Sequence, residues 1–213
     1  MNYRIYVDSA DERAVRELLA AGMIAGVTTN PTILERSSQT GADIPRLYSA
    51  WHAAGAGEIF FQAWGIDREA LLEQGRRLGD LGDDVVVKVP ATRDGFLVAR
   101  ELLASGTPVL LTAVYSTAQA IAAASIGARY IAPYLGRLED SGRDGQAEIG
   151  RMASALMGTH TDVLAASVRS PAAIVSLAER GVRYFTAAPD VIWALMDDPE
   201  SISAAAVFES HMN

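Results

Sequence analysis

The amino-acid sequence predicts an α/β fold, and within that class a (β/α)8 TIM barrel with a C-terminal helical tail. Three observations lead to this prediction: eight short apolar segments, amphipathic helical segments between them, and a repeat of about 25 residues. Such a repeat accommodates one strand, one helix and two short loops. The 213 residues would then form a single domain over 1–213, at the short end of the size range for this barrel.

The apolar segments are short and several are rich in β-branched or aromatic residues, which is typical of strands buried on both faces of a parallel sheet. An open doubly wound sheet is the competing fold, but it often carries a glycine-rich fingerprint after its first strand. The segment YVDSADE contains no such fingerprint, so the sequence favours the barrel. The predicted strands are Tyr3–Asp8, Met23–Thr29, Glu58–Ala63, Val85–Val89, Val109–Thr112, Arg129–Tyr134, Asp162–Ser167 and Arg183–Ala187.

Amphipathic segments with apolar residues at helical spacing separate the strands. Ser9 and Glu12 form a candidate capping box for the first helix. Asn30 and Ser170 each precede a proline that suits the first helical position. Helices are accordingly predicted over 10–21, after 30, over 67–78 and 94–104, after 116, and over 145–157, 171–180, 190–196 and 200–212.

The composition excludes several functional classes. With 26 acidic and 18 basic residues the net charge is −8, which disfavours binding to nucleic acid. The chain has no cysteine, so it has no disulfide or cysteine–metal site, and no metal-binding motif is present. No apolar run is long enough to span a membrane and the N-terminus lacks a secretion-signal pattern, so we expect a cytoplasmic protein without a membrane partner.

One basic residue stands out, because 17 of the 18 are arginines and Lys88 is the single lysine. Both types serve as surface charges, but only lysine has an amine that can lose its proton and attack a carbonyl. Lys88 lies in the apolar segment VVVKVP of the fourth predicted strand, where burial would lower the pKa of its amine. The position favours a nucleophile that forms a Schiff base; the alternative is a lysine neutralised by a buried carboxylate.

Other polar residues end the remaining strands, and in this fold the active site lies at the carboxyl ends of the strands. Asp8 is a candidate partner of Lys88 and equally a candidate catalytic acid or base. The phenol of Tyr134 is placed to transfer a proton near Lys88, directly or through a water held by Gln62 and Thr112. One such residue is often only structural, but a set of them inside a barrel favours function.

Arg137, Ser167 and Arg169 follow the sixth and seventh predicted strands. An isolated arginine is usually a solvated surface charge. Three groups that suit an anion at adjacent strand ends instead predict a phosphate site, near the region where barrels of this kind commonly hold phosphate.

Six segments of the chain match, in order, those of a known family: YVDSA, AGVTTNPT, VVVKVPAT, LLTAVYSTAQA, APYLGR and LAASVR. On these segments the sequence resembles the transaldolase and fructose-6-phosphate aldolase family over nearly its whole length. The resemblance implies a (β/α)8 class I aldolase that forms a Schiff base with a ketose or a dihydroxyacetone unit. It also implies that no metal or organic cofactor is needed.

The resemblance extends to individual residues. Lys88 matches the lysine that forms the Schiff base, and Asp8 matches the acid that assists proton transfer around it. Thr28 and Asn30 match the substrate-binding positions of the second strand, with Asn30 placed to bind a ketose hydroxyl. The remaining matches are Gln62, Thr112 and Tyr134 for the catalytic water and Arg137, Ser167 and Arg169 for the sugar phosphate.

The resemblance leaves two activities open. Gln62 and Tyr134 are similar to the aldolase branch, which implies cleavage of fructose 6-phosphate to dihydroxyacetone and glyceraldehyde 3-phosphate. The segments GRLED at 136–140 and SVR at 167–169 are closer to transaldolases of the pentose phosphate pathway, which transfer a dihydroxyacetone unit between sugar phosphates. A non-catalytic barrel that binds sugar phosphates is the alternative of another class. The effects of Trp64 and Gly136 on the pocket also stay open.

Short members of this family assemble into rings, commonly decamers of two pentamers. The resemblance therefore implies a homo-oligomer. The tail ESISAAAVFESHMN carries apolar candidates for such contacts at Ile202, Ala205, Ala206 and Phe208.

Overall fold

Eight parallel strands close into a barrel in the order β1 to β8, with β8 pairing back onto β1. The computed structural model describes residues 2–212. The predicted barrel is confirmed, and the observed strands differ from the predicted ones by a few residues at their ends. They are β1 Arg4–Asp8, β2 Gly26–Thr28, β3 Glu58–Gln62, β4 Val85–Pro90, β5 Val109–Val114, β6 Tyr130–Pro133, β7 Asp162–Val168 and β8 Tyr184–Ala187.

Helices follow the strands and cover the outside of the barrel. A 3-10 turn at Gly41–Asp43 precedes the third helix. The α-helices are α1 Glu12–Ala20, α2 Pro31–Arg36, α3 Ile44–Ala53, α4 Arg68–Gly79, α5 Arg93–Ala104, α6 Thr117–Ser125, α7 Leu135–Asp140, α8 Gly145–Ala155, α9 Pro171–Glu179, α10 Pro189–Ala194 and α11 Pro199–Met212.

The predicted capping box of Ser9 and Glu12 is wrong. The N-cap of helix α1 lies two residues further on, at Asp11: its Oδ1 accepts from the backbone N–H of Arg13 at 3.0 Å and of Ala14 at 2.9 Å. A carboxylate at this position satisfies two free backbone donors at once. Ser9 is left to accept from the N–H of Asp11 at 3.1 Å.

Two regions of apolar side chains fill the fold. The larger one lies between the strands and the surrounding helices. The smaller one fills the barrel itself, where Tyr6, Phe60, Leu110, Tyr130 and Leu164 point inward from five different strands. A filled interior closes the barrel below its carboxyl end, so a ligand can enter only at the mouth.

The amino end of the barrel, which we call the floor, holds a buried carboxylate. Glu58 of β3 is 5% exposed and accepts hydrogen bonds from the phenols of Tyr6 and Tyr130. Arg129 contacts its Oε1 at 2.7 Å and Arg4 its Oε2 at 3.2 Å. Both carboxylate oxygens are thus fully engaged, which is the condition under which a charge is tolerated in a protein interior.

The C-terminal helix α11 packs differently from the rest of the chain. None of its described residues is buried, and Ile202, Val207, Phe208 and Met212 expose large apolar side chains. Among the described residues, no helix has both the length and the apolar character needed to cross a membrane.

Candidate active site

The mouth of the barrel holds a cavity of about 500 Å³ at the carboxyl ends of the strands. Eight of the ten predicted site residues line it, contributed by six strands or the segments that follow them. They are Asp8, Asn30, Gln62, Lys88, Tyr134, Arg137, Ser167 and Arg169. The remaining two, Thr28 and Thr112, are buried behind the wall and contact residues that do line it. The barrel topology therefore brings together residues that lie far apart in the sequence.

Lys88 lies on β4 inside the mouth and is only 4% exposed. Its Nζ donates to the backbone carbonyl of Thr29 at 2.7 Å. Burial lowers the pKa of the amine, and the negative charge of Asp8 opposes that shift only in part. A larger neutral fraction near neutral pH is what a nucleophilic lysine requires.

Asp8 ends β1 and is paired in register with Thr28 of β2. The hydroxyl of Thr28 donates to Asp8 Oδ1 at 2.6 Å, and it also lies 2.6 Å from the hydroxyl of Thr186 on β8. Burial raises the pKa of Asp8, while the charge of Lys88, the Thr28 hydrogen bond and the charge of Arg36 act in the opposite direction. Thr28 thus orients the carboxylate from behind, and Asp8 has the raised pKa that suits proton transfer.

Tyr134 follows β6 and lines the same cavity as Lys88. Its hydroxyl lies 2.7 Å from that of Thr112, which is buried on β5. Burial raises the pKa of the phenol, so Tyr134 is neutral at physiological pH and can donate a hydrogen bond into the cavity. The hydrogen bond joins two of the three residues that the resemblance assigns to the catalytic water.

Two amide side chains face the cavity from β3 and from the segment after β2. Gln62 is paired in register with Lys88, which places it beside the amine. Asn30 is the N-cap of α2, and its Oδ1 accepts from the N–H of Ile33 at 3.0 Å. The cap uses the oxygen of Asn30 and leaves its amide N–H groups for a hydroxyl in the cavity.

Backbone irregularities flank Tyr134 on both sides. Ala113 and Ser167 both have φ of 56°, in the left-handed region that residues other than glycine rarely adopt. Each lies where the strand register shifts, between Thr112 and Val114 on β5 and between Ala165 and Val168 on β7. Such bulges re-aim side chains beside active sites, and the one on β7 places Ser167 on the cavity wall.

The predicted phosphate groups lie together on the β6–β7 side of the mouth. Arg137 is on α7, Ser167 is the penultimate residue of β7, and Arg169 directly follows that strand; all three line the cavity. The guanidinium of Arg169 forms two hydrogen bonds with Asp140, Nη1 to Oδ1 at 2.7 Å and Nη2 to Oδ2 at 2.6 Å. The three groups offer a cationic and hydroxyl-bearing wall of the kind that binds phosphate.

Sequence reasoning missed Arg36 and gave Thr186 no role in the site. Arg36 ends α2 and lines the cavity from the side opposite Arg137, because β2 and β6 face each other across an eight-stranded barrel. No motif marks Arg36 in the sequence. Thr186 is the penultimate residue of β8, and it both lines the cavity and contacts Thr28.

Trp64 lies outside the walls of the cavity. It is not among the residues that line the cavity, and it lies instead against Gly41, where an added Cβ would come within 2.7 Å of the indole. Among residues 2–212, no group of three or more His, Asp or Glu side chains is arranged to hold a metal ion.

Comparisons with known proteins identify relatives of this chain. A sequence model described as "Transaldolase/Fructose-6-phosphate aldolase" matches residues 5–213. A probable transaldolase of Rhodospirillum centenum is 37% identical over 92% of this chain and 85% of the relative. A probable transaldolase of Methanococcus maripaludis strain C7 is 32% identical over 99% of both chains.

Solved structures with the same fold include a mandelate oxidase, with a TM-score of 0.61 at 21% identity. The match covers 92% of this chain and 66% of the mandelate oxidase chain. At this identity the likeness concerns the fold alone.

Fold and site together define a TIM-barrel protein with a buried lysine and a ring of polar side chains around a single mouth. The sequence comparisons then place it: the chain belongs to the transaldolase/fructose-6-phosphate aldolase family. The prediction of an aldolase-like lyase or transaldolase is thereby confirmed at the level of the family.

Proposed function

We propose that this protein is a class I aldolase that forms a Schiff base at Lys88 and cleaves the C3–C4 bond of a ketose phosphate such as fructose 6-phosphate. The observation that carries the proposal is the single lysine of the chain, buried in the mouth with a lowered pKa and surrounded by proton-transfer groups. Arg137 and Ser167 bind the phosphate, and Asn30 binds a hydroxyl of the sugar.

The reaction begins when the neutral amine of Lys88 attacks the C2 ketone. The resulting carbinolamine loses water with the help of Asp8, which supplies the proton to the leaving hydroxyl and leaves an iminium. A base then removes the C4 hydroxyl proton; we assign this step to a water held by Tyr134, Gln62 and Thr112. The electrons of the C3–C4 bond move into the iminium, which becomes an enamine, and glyceraldehyde 3-phosphate leaves.

The enamine then has two possible fates. If it is protonated and hydrolysed, dihydroxyacetone is released and the enzyme acts as an aldolase. If a second aldose phosphate captures it, a new C–C bond forms and the enzyme acts as a transaldolase. Transaldolase activity is the second candidate function, and the names of the probable transaldolases of Rhodospirillum centenum and Methanococcus maripaludis favour it.

Borohydride trapping tests the Schiff base. We expect incubation with dihydroxyacetone and borohydride to leave one covalent adduct, which peptide mass mapping assigns to Lys88. Because the chain has no second lysine, any lysine adduct must be at this residue. Lys88→Met is the control and should show no adduct. A wild-type protein that binds dihydroxyacetone calorimetrically but is never trapped would instead support the non-catalytic alternative.

The variant Tyr134→Phe tests which residue controls the balance between hydrolysis and transfer of the enamine. The substitution removes the phenolic hydroxyl, which is one hydrogen-bond partner of the water, and keeps the ring that fills the pocket. We therefore expect the rate of hydrolysis to fall by about tenfold to a hundredfold while the rate of transfer falls less. The measurement compares release of glyceraldehyde 3-phosphate without an acceptor with transfer to erythrose 4-phosphate. An unchanged ratio of the two rates would show that Tyr134 does not control the outcome.

The proposal includes a cytoplasmic homo-oligomer, with decamers of two pentamers as the expected form. The exposed apolar residues Ile202 and Phe208 on α11 support it, because large apolar side chains on one helix suit contact with a second copy. Native mass spectrometry measures the subunit number. A monomer at micromolar concentration would contradict this part of the proposal and leave the chemistry at Lys88 unaffected.

A further inference from the structure

Gly136 lies under the guanidinium of Arg169. A Cβ atom at position 136 would come within 2.6 Å of Nε, 2.7 Å of Cζ and 2.9 Å of Nη2 of that side chain. Real Cβ contacts are not this short, so the guanidinium rests where only a glycine leaves room. Gly136 is the second residue of α7. Glycine is the poorest helix former after proline, so helix propensity does not explain a glycine at this position.

Asp140 holds the same guanidinium from the end of α7. Its two carboxylate oxygens accept from Nη1 and Nη2 at 2.7 Å and 2.6 Å, which is the paired geometry that fixes the plane of an arginine side chain. Arg169 lowers the pKa of Asp140, so the carboxylate stays charged under physiological conditions. Two of the five N–H donors are used in this way, and three remain for a ligand in the cavity.

We propose that Gly136 and Asp140 form a seat that positions Arg169 at the cavity wall, and that this seat sets the preference for phosphorylated over unphosphorylated substrates. The inference rests on the proposed function, since it concerns the phosphate end of the same substrate. Arg137 follows Gly136 directly on α7, so a single short helix supplies one phosphate ligand and the seat for another. Gly136 and Asp140 touch neither the substrate nor the reacting atoms and are positioning residues.

The test compares two aldehyde acceptors that differ only in the phosphate, glyceraldehyde 3-phosphate and glyceraldehyde, each with dihydroxyacetone as donor. In Gly136→Ala the added methyl meets the far end of a flexible side chain, so the fold is retained and the guanidinium moves. We expect kcat/KM for the phosphorylated acceptor to fall by about tenfold, mostly through KM, with the unphosphorylated acceptor unchanged within twofold. Asp140→Asn should shift the ratio in the same direction.

Matched controls separate the seat from general effects. Gly150→Ala places a methyl against another arginine, Arg180, at 3.1 Å from its Cδ and away from the mouth. Glu139→Gln removes a negative charge next to Asp140 without removing a hydrogen bond to Arg169. Both controls should leave the ratio of the two acceptors unchanged. In an Arg169→Met background, Gly136→Ala should have no further effect, because it acts through Arg169.

Two kinetic results would overturn the inference: an unchanged ratio in folded Gly136→Ala, or an equal loss when Arg169 is already absent. Borohydride trapping of dihydroxyacetone at Lys88 needs no phosphate and therefore reports on the proposed function separately. Calorimetric binding of inorganic phosphate gives a readout that needs no turnover. There, Gly136→Ala should raise the Kd by about tenfold, and an equal Kd in both proteins would refute the seat.

Discussion

The two ends of the barrel each bury an ionisable side chain, and they surround it in opposite ways. On the floor, Glu58 receives hydrogen bonds or ion pairs from four side chains, two arginines and two tyrosines. At the mouth, Lys88 donates one hydrogen bond, to the carbonyl of Thr29, and meets Asp8 only through its charge. A fold loses much stability when a fully paired buried charge loses a partner, whereas a buried group with too few partners keeps a perturbed pKa and with it reactivity.

The residues around Glu58 and those around Lys88 differ in the same way. The partners of Glu58 come from β1, from β6 and from Arg129 directly before β6, and they leave no oxygen of Glu58 for a ligand. The mouth places Asp8, Gln62 and Tyr134 around an open cavity, with amide and phenol groups that face a space large enough for a sugar phosphate. The mouth is therefore the end whose polar groups face a space for a ligand, and the floor is the end whose polar groups are engaged with one another.

Substitution of the mouth lysine has the largest expected effect. Lys88→Met removes the nucleophile, so we expect kcat to fall by about four orders of magnitude, roughly 5 kcal/mol of barrier. The same change should stabilise the fold by about 1 kcal/mol near neutral pH, because an apolar side chain replaces a buried amine. Urea denaturation measures the free energy of unfolding.

The sign of the pH effect distinguishes this explanation from simple repacking. The amine of Lys88 has a lower pKa in the folded protein than in the unfolded chain, where it is near the ordinary 10.5. The penalty that Met relieves is present at neutral pH and disappears as pH rises toward the unfolded value. A gain that stays constant up to that pH, or a loss of stability throughout, would contradict the comparison.

Substitution of the floor carboxylate should give the opposite pattern. Glu58→Gln keeps the volume but removes the charge and puts an amide N–H₂ against tyrosine and arginine donors. We expect a loss of about 3 kcal/mol in the free energy of unfolding, near the lower limit for breaking a buried pair because Arg4 and Arg129 stay half exposed and regain water. The kcat/KM of the folded protein should stay within twofold of wild type.

Glu17→Gln is the matched control for this loss. Glu17 pairs with Arg13 one turn away on the surface of α1, and an exposed pair of this kind contributes only about 0.3–0.5 kcal/mol. A floor variant that unfolds as wild type does, or that loses activity without losing stability, would show that the two ends are not divided as described.

Much of this architecture could be predicted from the sequence, because strand periodicity and the positions of strand ends are local properties. Lys88, Asp8 and Tyr134 were identified from where their strands end. The floor network was not, because Glu58 begins a strand as an ordinary acidic residue and its partners come from β1 and β6. The contact between Gly136 and Arg169 joins α7 to the segment after β7, and no local pattern encodes it.

The smallest expected effect concerns Arg36, which sequence reasoning did not find. Its charge lowers the pKa of Asp8 while burial raises it, so Arg36→Gln should move that pKa further upward. Arg36 is exposed and solvent screens it, so we expect only a small upward shift, measured by carbon NMR of the labelled carboxyl group, that vanishes in 1 M salt at a Debye length of about 3 Å. Arg100→Gln removes an equal charge from the outer helix α5 and should leave Asp8 unchanged. A shift that persists in high salt would mean that Arg36 acts on Asp8 through a direct contact. Asp8 would then have a paired charge, as Glu58 has on the floor, and the difference between the two ends would not hold.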